Sequence, residues 1–132
     1  MDAPRPTAPP VLVVDDCPYL ADALGLLLKW WGFRAAVAYD GLSALALASA
    51  DPPAAVVLDI GMPGMDGYDL AARLRRLPGM GQALLVALTG YGREGDVPLC
   101  HEAGFDLHLL KPCDPEELRR ALDGILAPRP TP

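Results

Sequence analysis

Five polar side chains stand out because each one closes a short run of apolar residues. Val11–Val14 is followed by Asp15 and Asp16, Ala54–Leu58 by Asp59, Ala83–Leu88 by Thr89, and Leu107–Leu110 by Lys111. An unbroken apolar run of this length is what a strand buried on both faces requires. In an open parallel sheet, ligands bind beyond the carboxyl ends of the strands, so the five residues converge there although they are far apart in the chain. Three aspartates in one place repel. At an effective dielectric of about 20 and a separation of ~5 Å, each pair costs about 3 kcal/mol. A hard divalent cation removes that repulsion, and carboxylate, carbonyl and water ligands suit Mg²⁺. Lys111 adds a second positive charge and Thr89 a neutral donor. An acidic metal site with a cation and a hydroxyl can hold a transferring phosphoryl group, and a carboxylate in it can be the nucleophile.

The elements that must position these residues alternate along the chain. Leu20, Leu24, Leu27, Leu28 and Trp31 recur at helical spacing, and Gly32 stands where a helix end favours glycine. A second strand is expected over Phe33–Tyr39. Asp40 then caps a helix with Leu42, Leu45, Ala46 and Ser49 on its apolar face. Asp51-Pro52-Pro53 breaks the chain before the Ala54 run. A helix is expected near Tyr68–Leu77 after the Gly61–Gly67 loop, and a short one over 97–103 with Pro98 in its first turn. Asp114 caps the last helix, with Pro115, Glu116 and Glu117 in its first turn and Leu118, Ala121, Leu122, Ile125 and Leu126 along one face. Five strand–helix alternations predict an α/β fold: a doubly wound, five-stranded parallel sheet with helices on both faces. The proline-rich ends, 1–10 and 127–132, are expected to be flexible tails around one domain, 11–126.

Composition narrows the function classes. A chain of 132 residues, 52% of them hydrophobic, has the size and apolar content of one globular domain. Seventeen acidic against eleven basic residues give a net charge of −6, a poor endowment for general binding to nucleic acid or an anionic membrane. No apolar run approaches the ~20 residues of a membrane span, and no signal peptide follows Met1, so a cytoplasmic location without membrane insertion is expected. Three cysteines (Cys17, Cys100, Cys113) argue against a disulfide framework, and with two histidines against a zinc site.

The segments VVDD at 13–16, LDIGMPGMDG at 58–67, ALTG at 87–90 and LLKP at 109–112, in this order and spacing, resemble the receiver domain of two-component response regulators. The resemblance covers residues 11–126. It implies the flavodoxin-like strand order 2-1-3-4-5. It also implies that Asp59 is the phosphoacceptor and that Mg²⁺, or Mn²⁺ in its place, is bound by Asp16 directly, Asp15 mainly through water, Asp59, and the backbone carbonyl of Gly61. Thr89 would hydrogen-bond the phosphoryl group and Lys111 would pair with it. Pro112 matches a cis-proline of the family. The implied function is a phosphorelay module that takes a phosphoryl group from a phosphohistidine and catalyses only its own phosphorylation and dephosphorylation, not a turnover enzyme. Its partners would be a sensor histidine kinase or histidine phosphotransfer domain and a downstream protein, but not nucleic acid. No output domain is expected after the last helix. The ALTGYG and AGFDLHLLKPCDPEEL segments look most like receivers attached to hybrid sensor kinases, while a free-standing protein fits equally well.

Other readings meet specific obstacles. A dehalogenase-like phosphatase needs a second carboxylate two residues after the nucleophile, and Ile60 and Gly61 follow Asp59. A nucleotide-binding flavodoxin-like protein needs a glycine-rich phosphate loop, and DDCPYLAD is acidic. A degenerate, purely partner-binding receiver would lack part of the five-residue set. One departure is His108, three residues before the lysine, where the family usually carries Tyr or Phe. It is either a surface-facing strand histidine or a replacement for the aromatic switch. Asp66 serves the loop and helix start, and Asp51 and Asp114 are helix-end residues. Cys17 and Cys113 are small core or rim positions, and His101 is an exposed helix position. Of Trp30 and Trp31, one packs inward and the other sits at the surface.

Overall fold

The three central strands of the sheet are buried on both faces because helices cover both, whereas the two edge strands carry exposed positions. The computed structural model describes residues 9–61, 67–89, 104–111 and 114–126, with the last helix's side chains described to residue 124. The elements are β1 (Pro10–Val14), α1 (Pro18–Trp30), β2 (Arg34–Ala38), α2 (Gly41–Ala50), β3 (Ala55–Asp59), α3 (Gly67–Arg76), β4 (Leu84–Thr89), β5 (Leu107–Leu110) and α4 (Pro115–Leu126). The strands form one sheet of order β2-β1-β3-β4-β5, all neighbours parallel. This is the strand order that the resemblance implies, in the parallel sheet that the alternation predicts. No helix among the described residues is long and apolar enough to cross a membrane.

Alternate strand residues feed two cores. Leu12, Val14, Val56, Leu58, Leu85 and Ala87 pack beneath α2 and α3. Val11, Val13, Val57, Val86, Leu88 and Leu109 pack beneath α1 and α4. Removing such a side chain from a core costs about 2–5 kcal/mol for a Leu-sized truncation, so the sheet has little freedom to shift under its site.

Several boundaries and faces differ from the sequence expectation. Pro10 belongs to β1 and not to a tail. It pairs with Arg34, and its carbonyl accepts from the Ala54 N–H at 2.7 Å. A first strand residue that only accepts suits proline. Phe33 and Tyr39 flank β2 outside the ladder, and β3 and β4 each start one residue later than expected, so Asp59 and Thr89 are themselves strand residues. The inward face of α1 is Ala21, Gly25 and Leu28, while Leu20 is exposed. That of α2 is Gly41, Ala44 and Ala48, while Leu42 is exposed. The reason is close approach. A methyl added to Gly25 would lie 2.9 Å from Val37 Cγ2, so the small residues of these helices, not the leucines, meet the sheet.

Other local expectations match. Gly32 follows α1 with φ of +101°. The Ser43 N–H donates to Asp40 Oδ1 at 2.7 Å, and the Glu116 N–H to Asp114 Oδ1 at 3.0 Å. Trp31 packs against a core with the Arg119 guanidinium 5.9 Å from its ring centroid, whereas Trp30 is exposed. The short helix over 97–103, Asp66, His101, Cys100, Cys113, the Pro112 bond and both tails (1–8 and 127–132) lie outside the described residues.

Candidate functional site: an acidic cluster at the strand ends

The carboxyl ends of β1, β3, β4 and β5 deliver the five residues to one place. Asp15 immediately follows β1, and its N–H donates to Ala38 O at 3.1 Å, extending the β1–β2 ladder by one rung. Asp59 is the last residue of β3 and pairs with Leu88. Thr89 ends β4, and its carbonyl accepts from the Lys111 N–H at 2.7 Å, so the two residues share a ladder bond. Carboxylate oxygens of Asp15, Asp16 and Asp59 all lie within 4.8 Å of one another.

The lysine joins two of these acids. Lys111 Nζ lies 3.0 Å from Asp59 Oδ2 and 3.4 Å from Asp15 Oδ2. The other oxygen of each acid accepts a backbone N–H two residues ahead, Gly61 to Asp59 Oδ1 at 3.0 Å and Cys17 to Asp15 Oδ1 at 3.0 Å. Aspartate side chains favour this local turn. It fixes both carboxylates from below while Lys111 holds them from the side. Asp15 and Asp59 are 5% and 7% exposed; Asp16 stands at the open rim. Burial, the largest influence, pushes the Asp15 carboxyl above its ordinary value, partly offset by the Cys17 N–H and Lys111. Burial opposes the charge on Lys111 most strongly, but its bonds and attraction to Asp59 and Asp15 together outweigh it and hold the ammonium above its ordinary value.

Two features fit a divalent cation and an anionic ligand. Three carboxylates against one ammonium leave a formal charge of −2, the magnitude one divalent ion neutralises. Hard oxygen donors of this kind suit Mg²⁺. Thr89 is 5% exposed, and among the described residues its hydroxyl has no hydrogen-bond partner. A buried hydroxyl left without a partner costs about 1–3 kcal/mol. Such an unmet group, at the end of the strand paired with that of Asp59, fits a place for a polar ligand.

Residues 11–123 match the family model of the response regulator receiver domain. The chain belongs to that family. A 14.6 kDa uncharacterized protein of Leptolyngbya boryana is 42% identical over 111 residues, covering 83% of this chain and 84% of that one. The DNA-binding response regulator MtrA of Mycolicibacterium smegmatis is 41% identical over 108 residues, 82% of this chain but only 46% of MtrA. The receiver therefore spans less than half the length of that regulator. Among solved structures, the chemotaxis protein CheY4 of Vibrio cholerae superposes with a TM-score of 0.85 at 26% identity, covering 91% of this chain and all of CheY4. The receiver domain of the sensor histidine kinase PA1611 of Pseudomonas aeruginosa, with magnesium coordinated in its active-site cleft, gives 0.81 at 27% identity, covering 92% and 100%.

The receiver brings together all five residues singled out in the sequence. The part played by the Gly61 and Cys17 N–H groups was not foreseen, although an aspartate two residues before an amide is a recognisable signal for it. Arg75 was missed as well. Its guanidinium bonds the carbonyls of Met80, Gly81, Ala83 and Gly104 and the Asp106 carboxylate, tying the end of α3 to the entries of β4 and β5. A run of arginines late in a helix reads as a solvated face, so nothing in the sequence marked it. His108 is half-buried on β5 and pairs with Ala87.

Proposed function

We propose that this receiver accepts a phosphoryl group on Asp59 from the phosphohistidine of a sensor histidine kinase or a histidine phosphotransfer domain, in the cytoplasm, and thereby switches a surface read by a downstream protein. The observation that carries the proposal is the Lys111 ammonium 3.0 Å from Asp59 inside the carboxylate cluster. An Asp59 oxygen attacks phosphorus as the P–N bond breaks. The electron pair leaves on the imidazole nitrogen, which takes a proton from water. Lys111, already on Asp59, shifts its charge onto the incoming phosphoryl oxygens, and the unmet Thr89 hydroxyl donates to one of them. Asp15, Asp16, Asp59 and the Gly61 carbonyl are the groups that would hold Mg²⁺, as the magnesium in the PA1611 receiver's cleft supports. Bound there, the ion neutralises charge on the transferring group, which is most of what phosphoryl transfer asks of a protein.

Incubation with acetyl phosphate and Mg²⁺ is expected to add one phosphoryl group by intact mass, removable by hydroxylamine as an acyl phosphate should be. Asp59→Asn is expected to add none. Labelling of that variant at the wild-type rate would overturn the assignment.

A further inference from the structure

Resting on that reading, we infer that Gly67 is a positioning residue for the phosphoacceptor, acting through the backbone of Ile60. Gly67 is buried and opens α3. A methyl group placed on it would lie 2.7 Å from Ile60 Cα, 3.1 Å from Ile60 O and 3.3 Å from the Ile60 carbonyl carbon. These are main-chain atoms, so no side-chain rotation relieves the overlap. Ile60 is the residue between Asp59 and Gly61, and Gly61 both fixes Asp59 Oδ1 through its N–H and carries the carbonyl proposed as a metal ligand. Ile60 is also held by β4, its N–H donating to Leu88 O at 3.1 Å. The backbone that sets the acceptor's orientation is thus bonded to β4 and packed against the bare Cα of Gly67.

A side chain at 67 forces one of two partners to move. The α3 side resists: Leu70, Ala71 and Leu74 are fully buried, and Arg75 ties the helix end to five oxygen atoms. On the other side lie the half-buried Ile60 and the exposed Gly61. The displacement therefore falls on Ile60–Gly61 and reaches Asp59, while the core stays closed. Groups that orient a ligand change metal affinity by about 10–100-fold when disturbed, and misplacing a reacting group by about 1 Å slows its reaction ~100-fold.

The test compares Gly67→Ala with Gly25→Ala in the full chain. Gly25 is the matched control, because its added methyl meets only the Val37 side chain, at 2.9 Å. Both variants are expected to melt cooperatively, at lower temperature than wild type. Gly67→Ala is expected to shift the Gly61 amide signal in metal-free protein, to weaken Mg²⁺ binding by calorimetry about tenfold or more, and to slow labelling by acetyl phosphate at least as much. Gly25→Ala is expected to change none of the three. Wild-type Gly61 shift and Mg²⁺ affinity in Gly67→Ala would overturn the inference, as would a Gly67→Ala chain that does not fold, since then the core and not the Ile60 backbone takes up the crowding. Absence of Mg²⁺ binding or labelling in wild type would instead overturn the proposed function, leaving the Gly61 amide shift to decide the role of Gly67.

Discussion

Asp15 is a residue whose charge the fold tolerates at a loss. Its carboxyl is pushed above the ordinary 3.8, chiefly by burial. As pH rises from about 4 through that raised value, the unfolded chain has released a proton that the native state still holds, so native stability declines across the window and stays lower at neutral pH. Asp15→Asn lacks this titration. In metal-free protein, the variant is therefore expected to be about as stable as wild type near pH 4 and more stable at pH 7, read from denaturant midpoints. Addition of Mg²⁺ at pH 7 is expected to stabilise wild type and to have much less effect on the variant. A hundredfold excess over Kd contributes about 2.7 kcal/mol. A stability gap that does not grow with pH would remove Asp15 from the cluster's electrostatics. Lys111 behaves in the opposite sense: its stabilising charge is intact below the ordinary 10.5 and is lost only as pH rises through its raised value.

At the scale of the elements, the α1–β2 connection is a clean case. Gly32 has φ of +101°, and a methyl on it would meet nothing within 4 Å. Gly32→Ala therefore isolates the backbone penalty, about 1–3 kcal/mol, with no packing change. A thermal midpoint several degrees lower, with the Mg²⁺ response of wild type, is the expected outcome; an unchanged midpoint would mean the turn relaxes. This ending was legible in the sequence because glycine there has one physical reason. The three central strands were equally legible, since a strand buried on both faces must be apolar almost throughout. The faces of α1 and α2 were not. Both helices carry more leucine than the core uses, so periodicity alone pointed to Leu20 and Leu42, and only tertiary contact shows that Ala21, Ala44 and Ala48 are inside. At the site, residue types at strand ends disclosed the five polar groups. The Arg75 strut stayed hidden, because an arginine late in a helix has the look of a solvated residue, and the Cys17 and Gly61 amides were signalled only by the aspartates two residues before them.

Across the whole molecule, the sheet divides the chain into parts that feel the site differently. Thr89 ends β4, Lys111 follows β5 and the two share a ladder bond, whereas α1 is joined to the site through Asp15, Asp16 and the Cys17 amide. On the proposed function, a new anion on Asp59 is expected to be sensed first along the β4–β5 side. Adding a phosphoryl mimic with Mg²⁺ is expected to move backbone amide signals around Asp59, at Thr89 and over 104–111, and to leave 18–50 nearly still. Changes clustered over 18–50 with the other side silent would refute this division of labour.

The strand order also has a consequence for the order of synthesis. β1 leaves the ribosome first, yet it is an interior strand that needs β2 on one side and β3 on the other. Its apolar residues must therefore wait, shielded only by local collapse, until residue 59 has emerged. The acidic cluster waits longer still. Its cation stands 96 positions beyond Asp15, so any nascent chain that ends between Asp59 and Lys111 carries the carboxylates without Lys111. The complete cluster of carboxylates and ammonium exists only once Lys111 has been made, and on the proposed function a translation product stalled before it would have no assembled site with which to take a phosphoryl group.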